Sequence, residues 1–145
     1  MLKSCCAPLA AVLLLGACAA GSGAPKVRGC YHANESVERE IGYCQALRVG
    51  DTLYISGTVG AGNMPDAVRG AYENLKKTLE ANQLTFANVV KENVYATDLD
   101  AFIRAKDIRR EYYSGGDFPA ATWVEVRRLY TPSFVVEIEL VAKIP

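Results

Sequence analysis

The feature that most constrains the fold is the stretch 134–143 (FVVEIELVAK), where Phe134, Val136, Ile138 and Leu140 alternate with Val135, Glu137, Glu139 and Val141. Alternation of period two puts the first set on one face of a strand and the second on the other. The first face is apolar and must be covered. The second carries two carboxylates, which mark a solvated face or a site. Residues 121–128 repeat the pattern, with Thr122, Val124 and Val126 on one face and Trp123, Glu125 and Arg127 on the other. Trp123 and Val135 are expected on the face without helices, where a large aromatic points to a subunit interface.

The cover for the apolar face is written upstream. Asn63-Met64-Pro65-Asp66 has helix-start chemistry, and Val68, Ala71, Tyr72, Leu75 and Leu79 recur at three- and four-residue steps, predicting an amphipathic helix that ends near Asn82. Residues 48–59 (RVGDTLYISGTV) read as a hairpin turn at Gly50-Asp51 and a strand, with Leu53, Ile55 and Gly57 alternating with Tyr54, Ser56 and Thr58. Residues 89–97 form a further strand region. Asp98 or Asp100 then caps a second helix through Ile103, Ala105 and Ile108 to Tyr113, stopped by Ser114-Gly115-Gly116. The order is strands, helix, strand, helix, strands: an α+β sandwich with both helices on one face of a single sheet.

A chain of 145 residues that is 50% hydrophobic and 22% charged makes one globular domain and excludes intrinsic disorder. Its 16 basic and 16 acidic side chains leave no basic patch, which counts against a nucleic-acid partner. Gly57, Gly60 and Gly62 lack a Gly-Lys-Ser/Thr ending and read as turn glycines, not a phosphate loop.

Residues 1–17 (MLKSCCAPLAAVLLLGA) have the charge, the short apolar run and the small residues of a secretion signal. Leu15-Gly16-Ala17-Cys18 resembles a lipoprotein lipobox, so Cys18 is expected to be acylated and to anchor the chain to a membrane of the bacterial envelope, facing the periplasm. Ordinary cleavage near Ala17-Cys18-Ala19 would instead release a soluble periplasmic protein. Residues 18–26 then form a flexible tether and 27–145 the folded domain. Cys30 and Cys44 remain as a pair in an oxidising compartment, either joined as a disulfide or buried apart. His32 is the only histidine and no third ligand stands near it in sequence, so no metal and no cofactor is expected.

Ile41-Gly42-Tyr43-Cys44-Gln45-Ala46, Tyr54-Ile55-Ser56-Gly57, Asn74-Leu75-Lys76, Leu79-Glu80-Ala81, Val89-Val90-Lys91, Thr97-Asp98-Leu99, Phe118-Pro119-Ala120, Val124-Glu125-Val126, Arg128-Leu129 and Val136-Glu137-Ile138-Glu139 follow one another in an order that resembles the Rid (YjgF-type) reactive-intermediate deaminases. The resemblance runs from about residue 27 to 144. It implies a chorismate-mutase-like fold, a homotrimer and a small-molecule cleft between neighbouring subunits. Active members hydrolyse the C=N bond of a 2-imino acid or its enamine tautomer, releasing ammonia and a 2-oxo acid. By resemblance, Glu137 activates water, Tyr43 is the cleft tyrosine, and Ala121, Thr122 and Trp123 line the cleft. The carboxylate-binding arginine of the family should follow Pro119-Ala120, where this chain has Ala121. Loss of one side of a desolvated charge pair costs roughly 3 to 5 kcal/mol. Arg127, six residues on, is roughly 20 Å away along the strand and cannot replace it. Three functions compete. The first is an imine or enamine deaminase of altered specificity. The second is a non-catalytic, envelope-anchored trimer that binds a small ligand or partner. The third, a ribonuclease, is disfavoured by the lack of a histidine pair and of a basic patch.

Overall fold

The computed structural model describes residues 28–145, so the expected signal segment, Cys18 and the whole of the tether lie outside the described residues. In chain order the elements are β1 (Arg28–Tyr31), α1 (Glu35–Ile41), β2 (Ala46–Val49), β3 (Thr52–Ala61), α2 (Met64–Ala81), β4 (Val89–Ala96), α3 (Leu99–Arg104), α4 (Lys106–Arg110), β5 (Ala120–Glu125) and β6 (Phe134–Lys143). The strands form one sheet in the order β1-β2-β3-β6-β4-β5. All pairings are antiparallel except β4 with β5.

The alternation in β6 is realised. Val136, Ile138, Leu140 and Ala142 are buried and Glu137, Glu139 and Val141 are half-buried. Helix α2 covers the apolar side with Val68, Ala71, Tyr72, Leu75 and Leu79, all at 0% exposure. Each valine or leucine side chain sealed there contributes about 1.5–3 kcal/mol. The Asn63 side chain caps α2 by accepting the Asp66 N–H, and Pro65 occupies the first turn, where its missing donor does no harm. Gly60 allows the close approach of helix and sheet, since a Cβ there would run into the Ala67 backbone. Among the described residues no helix is long and apolar enough to cross a membrane.

Several expectations are corrected. The predicted second helix is two short ones. Asp98 caps α3 by accepting the Ala101 N–H at 2.8 Å, but at Ala105 the chain tightens so that its N–H also reaches Phe102 O at 2.9 Å. Helix α1, for which no period was read in the sequence, is capped by Asn34 and ended by Gly42 at φ 94°. In β3 a bulge between Ile55 and Thr58 breaks the alternation. Thr58 and Gly60 therefore join Leu53 and Ile55 on the covered side, and Gly57 turns to the open one. A second irregularity opposite Ala61 leaves Phe134 half-buried beside Glu137 instead of in the core.

The face assigned to Trp123 is also reversed. Its alternation with Thr122 and Val124 holds, but Trp123 pairs with buried Val94 and packs edge-on against Phe102 of α3, ring centroids 5.0 Å apart. It lies on the helix side and offers no interface on the open face. Periodicity shows which residues share a face; only the tertiary partner decides which face that is.

Candidate functional site on the open face of the sheet

Glu137 sits in the middle of the sheet, beside Val59 of β3 and Tyr95 of β4. Gly57 passes directly beneath it, and a Cβ at that position would occupy the space of the carboxylate. Burial, reinforced by the charge of Glu139, holds the Glu137 carboxyl above the usual carboxylate range. Glu139 is tied down by Asn93 Nδ2 at 2.6 Å and by the Tyr95 hydroxyl at 3.1 Å, both of which donate to its Oε1.

Tyr43 is not on a strand. It follows the left-handed Gly42 that ends α1, and its N–H donates to Glu38 O at 3.0 Å. Burial, with the charges of Glu38 and Glu137, pushes its phenol up. Tyr43 and Glu137 face one cavity of about 500 Å³, walled by Val37, Phe134 and Tyr130. A half-desolvated carboxylate with raised proton affinity, opposite a phenolic donor, can take a proton from water while a departing nitrogen is steadied.

The other three cleft positions are not brought to this cavity. Thr122 is on the open side but next to Asn93, accepting a hydrogen bond from Lys91 Nζ at 2.8 Å. Ala121 pairs with Glu92, and Glu92 is fully buried under the helices. Ala121 and Trp123 therefore lie on the opposite side of the sheet from Glu137, and one chain alone does not join the two halves of the expected cleft.

On that opposite side lies a cluster that the sequence analysis missed. Glu92 accepts hydrogen bonds from Arg109 Nε (2.7 Å), Tyr113 Oη (2.7 Å), Tyr72 Oη (3.0 Å) and Trp123 Nε1 (3.3 Å). The Arg109 guanidinium lies 4.7 Å from the Tyr113 ring centre and 5.5 Å from that of Trp123. Burial and the charge of Glu92 push the phenols of Tyr72 and Tyr113 far above their ordinary range. Burial opposes the charge on Arg109, and Glu92 more than offsets it. Arg109 thus brings a cation to the side of Ala121, but one already neutralised. The signal for this cluster was a carboxylate in phase with Val94 and Ala96 of β4, because a charge in core phase needs a buried partner.

At the other end of the sheet, Cys30 and Cys44 are joined by a disulfide, with Cα atoms 5.6 Å apart. His32 does not stand alone, as its position in the sequence suggested. One ring nitrogen of His32 and the sulfurs of Cys30 and Cys44 lie within 4.8 Å of one another. They line a cavity of about 700 Å³ that borders Tyr43 and Ser56. Buried Glu38 braces the cluster; burial raises its proton affinity, but hydrogen bonds from Asn34, His32, Gln45 and Ala33 outweigh that and hold it below the usual range.

Comparison with known proteins fits this geometry. Residues 34–144 match the family described as Endoribonuclease L-PSP. A RutC family protein of Pyrococcus horikoshii is 33% identical over 118 residues, covering 74% of this chain and 92% of its own length. The 2-iminobutanoate/2-iminopropanoate deaminase of Homo sapiens is 33% identical over 109 residues, covering 69% of this chain and 78% of its own length. Rv2704 of Mycobacterium tuberculosis, a YjgF/YER057c/UK114 family member, superposes with a TM-score of 0.74 at 28% identity, covering 81% of this chain and 100% of that one. With the single sheet, its helix layer on one face and the matched segment taken together, this chain belongs to the YjgF/Rid family and has its chorismate-mutase-like fold.

Proposed function

We propose that this protein hydrolyses the C=N bond of an imine, or of its enamine tautomer, to an oxo product and ammonia, with a substrate range set by Ala121. The observation that carries the reading is the half-buried Glu137 carboxylate, held over Gly57 and facing the same cavity as Tyr43. A water beside Glu137 gives its proton to the carboxylate as its oxygen bonds to the imine carbon. The π pair moves onto nitrogen, which takes up a proton. Glu137 then returns its proton to the amino nitrogen, and the C–N bond breaks as the carbinolamine hydroxyl loses its proton to solvent, giving a carbonyl and ammonia, with the Tyr43 hydroxyl hydrogen-bonded to the leaving nitrogen. The deaminases among the relatives support this reaction class.

Specificity follows from what position 121 lacks. Position 121 carries no arginine and Arg109 is engaged by Glu92, so neither offers a substrate carboxylate a free clamp, and larger or uncharged substrates are favoured over small 2-imino acids. Because Glu137 and Ala121 lie on opposite sides of the sheet, the complete cleft in this reading is made between copies of the chain in a homotrimer. The same reading has the chain in the bacterial envelope, anchored through acylated Cys18 and facing the periplasm, and the Cys30–Cys44 disulfide supports an oxidising compartment.

The test is hydrolysis of 2-iminobutanoate by purified protein. Wild type is expected to turn over weakly, Ala121→Arg to gain on the order of a hundredfold or more, and Glu137→Gln to be inactive. Wild-type turnover equal to that of an arginine-bearing relative overturns the role given to Ala121. Activity that survives Glu137→Gln overturns the mechanism. A chain inactive on imines with or without an α-carboxylate, even as Ala121→Arg, would favour the second reading, a non-catalytic trimer that binds a small ligand, for which the loss of the arginine already speaks.

A further inference from the structure

We propose that Cys30, Cys44 and His32 form a thiolate–imidazole site for Zn²⁺ that opens when the Cys30–Cys44 disulfide is reduced. The three side chains are fixed by the fold. Cys30 belongs to β1, His32 follows that strand, and Cys44 directly precedes Gln45, whose N–H is bonded to Glu38.

The orientation of His32 is the decisive detail. Its Nδ1 lies 2.6 Å from Glu38 Oε2. Glu38 is 1% exposed and already accepts the backbone N–H groups of Ala33 (2.8 Å), Asn34 (2.7 Å) and Gln45 (2.9 Å). A carboxylate held in this way acts as an acceptor, so Nδ1 is the nitrogen that donates to it, and in the neutral tautomer that ligates metals Nε2 is the nitrogen left to bind. That nitrogen lies 3.1 Å from Cys30 Sγ. A disulfide sulfur has no proton to offer it. The three ligand atoms already lie within 4.8 Å of one another, so after reduction small side-chain rotations would set them around one ion. A carboxylate bonded to the outer nitrogen of a ligating histidine is the usual support of a zinc-binding imidazole. Two sulfurs and one nitrogen suit Zn²⁺ and exclude the hard cations Mg²⁺ and Ca²⁺. The cavity in front of the cluster leaves the fourth tetrahedral position to water or a small ligand.

The chemistry balances with a dithiol as reductant. Two electrons and two protons pass to the disulfide, the S–S bond breaks to two thiols, and the dithiol closes to its own disulfide. Zn²⁺ then displaces both thiol protons to solvent and forms two Zn–S bonds and one Zn–N bond.

The full purified chain is reduced with dithiothreitol, freed of it under nitrogen and titrated with Co²⁺ as a spectroscopic stand-in, with circular dichroism recorded in parallel. The expected result is one Co²⁺ per chain, with thiolate-to-metal charge-transfer absorption that one equivalent of Zn²⁺ abolishes, and no such band in the oxidised protein. Cys30→Ser and Cys44→Ser should each reduce the band, and His32→Ala should weaken Co²⁺ binding by roughly tenfold or more while keeping the disulfide in the oxidised form. Absence of a charge-transfer band in the reduced protein overturns the proposal, as does a band unchanged in the cysteine variants or an affinity unchanged in His32→Ala. A reduced chain that loses its fold and is not refolded by Zn²⁺ overturns it as well.

Discussion

At Gly57 the backbone supplies a floor on which the Glu137 carboxylate lies, and no other residue type leaves that space free. Gly57→Ala is therefore expected to lift Glu137 out of position while sparing the core, because the obstacle is the end of a movable side chain. A displacement of about 1 Å at a reacting group can cost roughly a hundredfold in rate. Turnover of an accepted imine should fall on that scale with an almost unchanged melting temperature; a large loss of stability with turnover per folded molecule intact would contradict the role given to this glycine. The pH profile offers a second check. In the proposed reaction Glu137 must be ionised to act as a base, and its proton affinity is raised by burial and then by Glu139. Activity should therefore drop on acidification at a pH above the usual carboxylate range. Glu139→Gln removes the repelling charge and should move that acid limb downwards; a limb that stays in place would mean that another group titrates. The side of the sheet that Glu137 takes was legible in the alternation of β6. The glycine beneath it was not, since strict alternation puts Gly57 with Leu53 and Ile55, and only the bulge in β3 brings it to the other face.

Among the elements, α2 was the most readable. Its boundaries carry side-chain and proline signals, and its apolar residues keep one period from Met64 to Leu79. Strand β5 was read correctly in phase and wrongly in orientation, because Trp123, Glu125 and Arg127 look like an exposed set until Glu92 and Phe102 supply a partner for the indole. Glu92 is also where the layer between β4, α2 and α4 is most vulnerable. Glu92→Ala would strand the Arg109 charge at 7% side-chain exposure, at a cost of about 3–5 kcal/mol. Urea unfolding should show that loss, and the double variant Glu92→Leu with Arg109→Met should regain most of it, since an apolar pair needs no countercharge. A single variant within about 0.5 kcal/mol of wild type, the range of an ordinary surface change, would refute the importance of the cluster.

For the whole molecule, the separation of Glu137 from Ala121 by the thickness of the sheet makes assembly a condition of the proposed cleft. Light scattering of the purified protein should report about three times the chain mass, and a stable monomer at micromolar concentration would leave the cleft without its second wall. Anchoring is tested separately by feeding labelled palmitate to cells expressing the full sequence, where the label should be absent from Cys18→Ala and present in wild type. The order of the sheet has another outcome, in the time course of synthesis. The strand that joins β3 to β4 is β6, so the two halves of the sheet remain unconnected until residues 134–143 have been made. A nascent chain shorter than that holds an α2 with half its floor missing and exposes it to proteases and chaperones. A chain cut before Phe134 should show no protease-resistant core. In the proposed route to the envelope, late closure of the central strand would keep the chain pliable while it threads through a translocation pore.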